Sequence, residues 1–306
     1  MNMRAVVLEE FGDVNKLQIE EVEDPQVGAC EVLVRVRATS INPVDWKIRR
    51  GDSKSRNPVE LPAILGRDLA GEVEQTGAGV TGFNKGQRVM ALAAGTYAEF
   101  TTVKADVLAP IPEKLTFEQA AALPLVLTTG AQLIERTIKV TPGQRILILG
   151  ALGGVGRTAV HVALQHGAQI IAGVRKSQLD EAKLLPAQEV IAIDDEDELA
   201  KLHDLDAIAD AVGGTVAARA IKTLKSGGVF GTVLAPPTDA DKLDIEVRTM
   251  RAEPDASRLY QLADDVSRGS LIIPIVKVLP LEKVREAQKE AEEGHPQGKI
   301  ILLPPA

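Results

Sequence analysis

Short runs of alternating apolar and polar residues dominate the first third of the chain. Residues 4–8, 17–22, 31–38, 69–75 and 87–91 each read as a strand of period two, with glycine, proline and aspartate punctuating the intervals. This spacing predicts an antiparallel β barrel or sandwich. Between residues 118 and 139 the texture turns helical, and from Arg145 onward a βαβ rhythm takes over.

The strand Arg145–Leu149, a turn over 150–156, a helix over 155–166 that stops at Gly167 and the strand Gln169–Val174 open this second region. Further strands are expected at 189–193, 207–211 and 229–234, with helical segments between them. Strands alternating with helices predict an α/β Rossmann domain with a doubly wound parallel sheet. A helix follows at 257–268, and strand character returns at 272–278 and Lys299–Leu303, which predicts that the tail rejoins the first domain. The domain boundary falls near Leu123. There is no internal repeat, and the acidic run 194–198 reads as a solvated loop and helix start.

A length of 306 residues fits two domains of ordinary size, and 45% apolar with 25% charged residues fits globular folding. No apolar stretch approaches the ~20 residues needed to span a bilayer. The N-terminus shows no basic region followed by an apolar run and a cleavage site, so no membrane partner is expected. Lysine and arginine number 35 against 43 acidic residues, a net charge of −8 that repels a phosphate backbone, so no nucleic acid partner is expected. The single cysteine, Cys30, rules out an intrachain disulfide and a cysteine-rich zinc lobe, and points to a reducing, cytoplasmic setting. Lying just before Val32, Val34 and Val36, it is expected to pack rather than react.

The candidate chemistry lies where the strand Arg145–Leu149 runs into Gly150, Ala151, Leu152, Gly153, Gly154, Val155 and Gly156. A pyrophosphate needs backbone N–H donors, and a Cβ at the turn holds the backbone away from it. Glycine at a helix N-terminus answers both needs. In NAD enzymes an acidic residue at the end of the second strand accepts from the ribose hydroxyls and repels a 2′-phosphate. Here that strand ends Ala172-Gly173-Val174-Arg175-Lys176-Ser177, with no carboxylate before Asp180. A guanidinium fork and an ammonium suit a 2′-phosphate, which favours NADP(H) over NAD(H); the alternative is that both cations simply begin a solvated helix.

The chain resembles the zinc-free members of the medium-chain dehydrogenase/reductase superfamily, in the quinone oxidoreductase group. The matching stretches are Ser40-Ile41-Asn42-Pro43-Val44-Asp45, Gly66-Arg67-Asp68-Leu69-Ala70-Gly71, Gly95-Thr96-Tyr97-Ala98-Glu99 and Leu123-Pro124 through Thr129. The glycine turn, Asp210-Ala211-Val212-Gly213-Gly214 and Gly298-Lys299-Ile300 complete them, in order and spacing over nearly the whole length. The resemblance implies a GroES-like β-barrel catalytic domain over 1–122, completed by 270–306, a Rossmann domain over 123–269 and an active site in the cleft between them. Zinc-dependent relatives carry a cysteine where the first barrel motif here has no sulfur ligand, and a histidine-glutamate pair where this chain has Arg67-Asp68. No zinc site can be assembled from the matching positions. The histidines, His161, His166, His203 and His295, are scattered and read as structural.

The resemblance further implies that Asn42 lies beside the nicotinamide and Thr129 lines its other side. The turn from Gly150 to Gly156, with Gly173 behind it, would hold the pyrophosphate, and Arg175 and Lys176 the 2′-phosphate. Val212, Gly213, Leu234 and Ala235 would flank the nicotinamide ribose, with Lys299 as an addition. Some relatives place a tyrosine in the strand that here reads Val190-Ile191-Ala192-Ile193-Asp194; its loss leaves the adenine pocket less defined. A homodimer through the edge of the Rossmann sheet is implied, with the strand at 229–234 and the following Pro236-Pro237 as a suitable edge.

Without zinc there is no Lewis acid to polarise an isolated carbonyl. Acceptors that spread negative charge by conjugation are favoured: quinones, or the double bond of α,β-unsaturated carbonyls. Asp45, Trp46, Lys47 and Tyr97 are candidates to shape the pocket or assist. Lys47 is a candidate to stabilise an enolate, against an exposed helix cation, and Tyr97 to donate a proton, against a buried strand aromatic. Two rivals stay open: an enoyl reductase acting on acyl thioesters, and a non-catalytic NADPH-binding protein with a regulatory or structural role.

Overall fold

A computed structural model describes residues 2–52, 58–294 and 296–305. The chain forms two compact units: Met1–Leu125 together with Pro254–Ala306, and Val126–Glu253. His295 and residues 53–57 lie outside the described residues.

The first unit begins with β1 (Asn2–Leu8), β2 (Leu17–Glu23), β3 (Glu31–Ser40), helix α1 (Pro43–Arg50) and β4 (Ala63–Ile64). It continues through β5 (Asp68–Thr76), β6 (Arg88–Leu92), β7 (Phe100–Lys104) and β8 (Ala109–Pro110) to α2 (Phe117–Ala121) and the start of α3 (Pro124–Gln132). Alternation decides the core: in β3, Val32, Val34 and Val36 are buried and pack with Leu69, Val73, Val89 and Val103. Three strands that alternation did not single out, β4, β7 and β8, are short or edge-like.

The second unit carries β9 (Arg145–Leu149), α4 (Gly154–Gln165), β10 (Gln169–Val174), α5 (Leu179–Ala182), β11 (Glu189–Ala192) and α6 (Glu196–Ala200). Then come β12 (Leu205–Asp210), α7 (Gly214–Ala220), β13 (Leu224–Thr232) and β14 (Ile245–Thr249). Its strands form one parallel sheet of order β11-β10-β9-β12-β13-β14, the doubly wound arrangement that reverses at β9. Leu147, Leu149, Ile171, Ile208 and Phe230 fill its core.

The 229–234 strand is therefore not the sheet edge expected of it. β13 pairs β12 on one side and β14 on the other. The edge is Ile245-Glu246-Val247-Arg248-Thr249, a segment too short to stand out, whose Ile245 and Val247 pack on the core while Glu246 stays exposed.

The chain then returns to the first unit as α8 (Ala256–Ser267), β15 (Ile275–Pro280), α9 (Val284–Gly294) and β16 (Lys299–Leu303). The sequence rhythm extends the second domain to residue 269, but α8 lies in the barrel unit, where it packs against β8 and buries Leu259, Leu262 and Ala263. The last strand pairs antiparallel with β3, Ile301 opposite Ser40 and Leu302 opposite Thr39. That pairing brings Lys299 to the beginning of α1.

Cys30 also departs from expectation. It is exposed, with φ of 61°, in the turn before β3. The apolar alternation starts only after it.

Candidate functional site

In the barrel unit the end of β3 and the start of α1 gather a buried polar cluster. Asn42 caps α1 by the sequence Asn42-Pro43-Val44-Asp45: Oδ2 of Asp45, three residues on, accepts the Asn42 backbone N–H at 2.8 Å. The same oxygen accepts the Tyr97 hydroxyl at 2.8 Å. Asp45 and Tyr97 are both fully buried. Burial pushes the Asp45 carboxyl up to about 7, against the pull of the Tyr97 and Asn42 hydrogen bonds, and its Oδ1 is buried with no partner among the described residues. Burial, then the Asp45 charge, holds the Tyr97 hydroxyl well above its ordinary value. Tyr97 is thus a buried aromatic whose hydroxyl is hydrogen-bonded.

The Asn42 side chain points the other way, into a second carboxylate. Its Nδ2 donates to Asp68 Oδ2 at 2.7 Å, and Lys299 Nζ donates to Asn42 Oδ1. Lys299 also reaches the Ile41 carbonyl at 3.1 Å and Asp68 Oδ2 at 3.2 Å. Asp68 further accepts the Ser40 hydroxyl, and its Oδ1 takes the Leu125 backbone N–H at 2.7 Å. Both oxygens of this fully buried carboxylate thus accept hydrogen bonds, and one of the donors, Lys299, carries its counter-charge. Asp68 was not among the site residues read from the sequence, although it sits in the Gly66-Arg67-Asp68 stretch. The signal was an acidic residue opening an apolar strand. Trp46 and Lys47 are half-buried on α1.

In the second unit the glycine turn forms as its sequence requires. Gly150 has φ of 78°, and the N–H groups of Gly150 and Ala151 donate to the Gly173 carbonyl at 2.9 and 3.1 Å. A Cβ on Gly156 would lie 2.0 Å from the Gly150 carbonyl oxygen, and one on Gly150 would lie 2.9 Å from Val212 Cγ2. Gly153 is the N-cap of α4 and offers no side-chain cap to the first-turn N–H groups. Arg157 braces the turn: Nε donates to the Leu152 carbonyl at 2.9 Å while Nη2 holds Glu181 at 2.6 Å. Thr129 is buried on α3, and Gly130 beside it packs so closely that a Cβ there would meet Thr158 Cβ at 2.5 Å.

The ends of β12 and β13 are joined by Asp210. Its Oδ1 accepts the N–H groups of Val212 and Gly213 at 2.9 and 2.8 Å, and its Oδ2 accepts the Thr232 hydroxyl at 2.7 Å. Thr232 Oγ1 in turn accepts the Leu234 N–H at 3.0 Å. Gly213, with φ of 72°, lies so close to Leu234 that a Cβ would sit 2.7 Å from Leu234 Cδ1. The sequence-derived set Gly150, Val212, Gly213 and Leu234 is therefore brought together at the carboxyl ends of adjacent strands; Ala235 follows, exposed. Asp210 organises this group and was missed as a site residue.

At the end of β10, Arg175 and Lys176 are both exposed. Lys176 is not surrounded by solvent alone: its backbone N–H donates to Asp194 Oδ1 at 2.7 Å and its Nζ lies 3.0 Å from Asp195 Oδ2. That hydrogen bond raises the Lys176 ammonium above its ordinary value and lowers the Asp195 carboxyl. The carboxylates that the sequence lacked after β10 arrive from the end of β11. The histidines seen here are dispersed: His161 lies 3.0 Å from Gln165, His166 3.4 Å from Glu135 and His203 3.0 Å from Asp204. Among the described residues no three His, Cys, Asp or Glu side chains form a group that could hold a metal ion.

A barrel unit completed by the C-terminal strand, and a doubly wound sheet whose glycine turn presents backbone donors, define the class of nicotinamide-dependent oxidoreductases with a GroES-like and a Rossmann domain. Residues 28–113 match the alcohol dehydrogenase GroES-like domain family and residues 185–302 the zinc-binding dehydrogenase family. The mitochondrial NAD(P)H oxidoreductase RTN4IP1 of Mus musculus is 30% identical, over 89% of this chain and 81% of its own. The chloroplastic NADPH-dependent alkenal/one oxidoreductase of Arabidopsis thaliana is 29% identical, over 99% and 80%. The solved quinone oxidoreductase of Coxiella burnetii superposes with a TM-score of 0.89 at 30% identity, over 99% of each chain. The chain belongs to the medium-chain dehydrogenase/reductase superfamily, among the relatives of the quinone oxidoreductases.

Proposed function

We propose that the protein is an NADPH-dependent, zinc-independent reductase that delivers hydride to quinones or to the double bond of α,β-unsaturated carbonyl compounds. The observation that carries this reading is the glycine cradle, where a Cβ on Gly156 would meet the Gly150 carbonyl oxygen at 2.0 Å. It fits a pyrophosphate because it brings backbone N–H groups and a helix N-terminus within reach of a dinucleotide and little else.

When bound, the nicotinamide supplies the hydride. The chain's own contribution is alignment, and hydride transfer needs orientation and exclusion of water more than a nucleophile. Gly150, Ala151, Leu152, Gly153, Gly154, Val155 and Gly156 would seat the pyrophosphate, Arg175 and Lys176 the 2′-phosphate, and Asp210 would hold Val212, Gly213 and Leu234 against the ribose. The Asn42 amide, locked by Asp68 and Lys299, is the first unit's candidate for the nicotinamide ring, and Thr129 is the second unit's. Asp45 and Tyr97 act from beneath, by fixing the first turn of α1. Lys47 is the candidate to stabilise an enolate oxygen, and the proton is supplied by solvent or a side chain.

Zinc independence is supported by the donor set. Arg67 and Asp68 stand where zinc-dependent relatives carry histidine and glutamate, and Lys299 already balances the Asp68 charge. Conjugated acceptors follow, since an isolated carbonyl lacks an electrophile. The single thiol fits a reducing, cytoplasmic setting, and no described helix is long and apolar enough to cross a membrane. A homodimer is proposed through the β14 edge, whose outer side is unpaired in the sheet.

The test is product analysis after incubation with NADPH and a panel of quinones and short enones. Saturated ketones place the chemistry at a carbon–carbon double bond, and hydroquinones alone narrow it to quinones. Products from neither would overturn the substrate class.

A further inference from the structure

Asp195 is held in place independently of any partner it has across the strand ends. Its Oδ1 accepts the N–H groups of Asp197 and Glu198 at 3.2 and 3.3 Å, capping α6, which leaves Oδ2 for Lys176 Nζ at 3.0 Å. Asp194 secures the same lysine through its backbone, Oδ1 accepting the Lys176 N–H at 2.7 Å. Two consecutive acidic residues just after β11 thus converge on Lys176, the second residue after β10, and one of them places a fixed negative charge on the ammonium.

We propose that Asp195 is a specificity-determining residue that narrows the preference for NADPH over NADH, by competing with the 2′-phosphate for the Lys176 ammonium. The inference rests on the reading of Arg175 and Lys176 as 2′-phosphate ligands. A 2′-phosphate seated on Lys176 displaces Asp195 from its ion pair and meets its negative charge at close range, both unfavourable. NADH has only hydroxyls there and pays neither cost. Arg175 keeps its planar fork for the phosphate, so Asp195 moderates discrimination rather than abolishing it.

Asp195→Asn isolates the charge, because asparagine caps a helix as well as aspartate does and α6 is retained. Dissociation constants for NADPH and NADH are measured by titration of wild type, Asp195→Asn, Lys176→Ala and the double variant at low salt. An exposed ion pair is worth up to about fivefold in affinity, so Asp195→Asn is expected to tighten NADPH by about that factor and leave NADH within about twofold. Lys176→Ala weakens NADPH, and in its background Asp195→Asn gains less than in wild type. If Lys176→Ala weakens NADPH but Asp195→Asn leaves the NADPH-to-NADH ratio unchanged or lowers it, the role of Asp195 is overturned while the phosphate site stands. If neither substitution changes NADPH affinity, the 2′-phosphate reading itself fails and takes this inference with it.

Discussion

Asn42 Nδ2 and Lys299 Nζ donate to the same oxygen of Asp68, at 2.7 and 3.2 Å, so one buried carboxylate sets the position of both side chains. The three residues come from the N-cap of α1, from β16 and from β5, far apart in sequence, and meet because β16 closes on β3. Asp68→Ala leaves the Lys299 ammonium buried without its counter-charge, a loss on the order of 3–5 kcal/mol. Urea unfolding is expected to show that drop, and the double variant Asp68→Ala/Lys299→Met to recover part of it. A single variant within about 0.5 kcal/mol of wild type would contradict the assignment.

The Asp45 carboxyl gives a signed pH dependence. Folded, it keeps its proton up to about pH 7, because burial disfavours the charge. In the unfolded chain an aspartate releases it near pH ~4. Between those values the native state binds the extra proton, so this contribution is complete below the unfolded value, falls as pH rises through about 7 and is then constant. Asp45→Asn removes the titration while keeping an acceptor for Asn42 and Tyr97. The difference in unfolding free energy between wild type and variant is therefore expected to move against wild type from about pH 4 to about pH 7, by on the order of a few kcal/mol. Parallel curves would remove the claim.

Gly156→Ala forces a Cβ towards backbone atoms, the Gly150 oxygen at 2.0 Å and the Ala151 Cα at 2.7 Å, which no rotamer change relieves. The turn must open. Calorimetric titration is expected to show NADPH affinity reduced by more than about tenfold, equal to ~1.4 kcal/mol or more. Wild-type affinity in this variant would mean that the turn does not hold the nucleotide.

Asp210→Ala releases three hydrogen bonds at once, to Val212, Gly213 and Thr232. Removing a buried acceptor strands its donors, at about 1–3 kcal/mol for each one left unsatisfied. The expected outcome is a raised KM for NADPH and a lowered Tm, with the quinone KM changed far less. An unchanged NADPH KM would restrict Asp210 to folding.

Periodicity carries the regular elements well: Arg145–Leu149, Gln169–Val174 and Lys299–Leu303 are strands with the bounds expected of them. β14 escaped because five residues that are neither strictly apolar nor strongly punctuated give a weak signal, and missing it moved the sheet edge inward. α8 was assigned to the wrong body because helical periodicity says which face is buried, not against which unit. The glycine turn is legible locally, since its residues are consecutive. Asp68, Asp195 and Arg157 are not: each acts on a partner brought to it by strand pairing or packing, and a carboxylate or guanidinium in sequence carries no mark of its partner.

The most direct measurement is steady-state NADPH consumption by wild type and Gly156→Ala, followed by absorbance against quinones and short enones. Wild type is expected to turn over at least one of these acceptors, and the variant to need more than about tenfold higher NADPH for the same rate. No consumption by wild type on any acceptor, or equal NADPH dependence in the two proteins, would contradict the account.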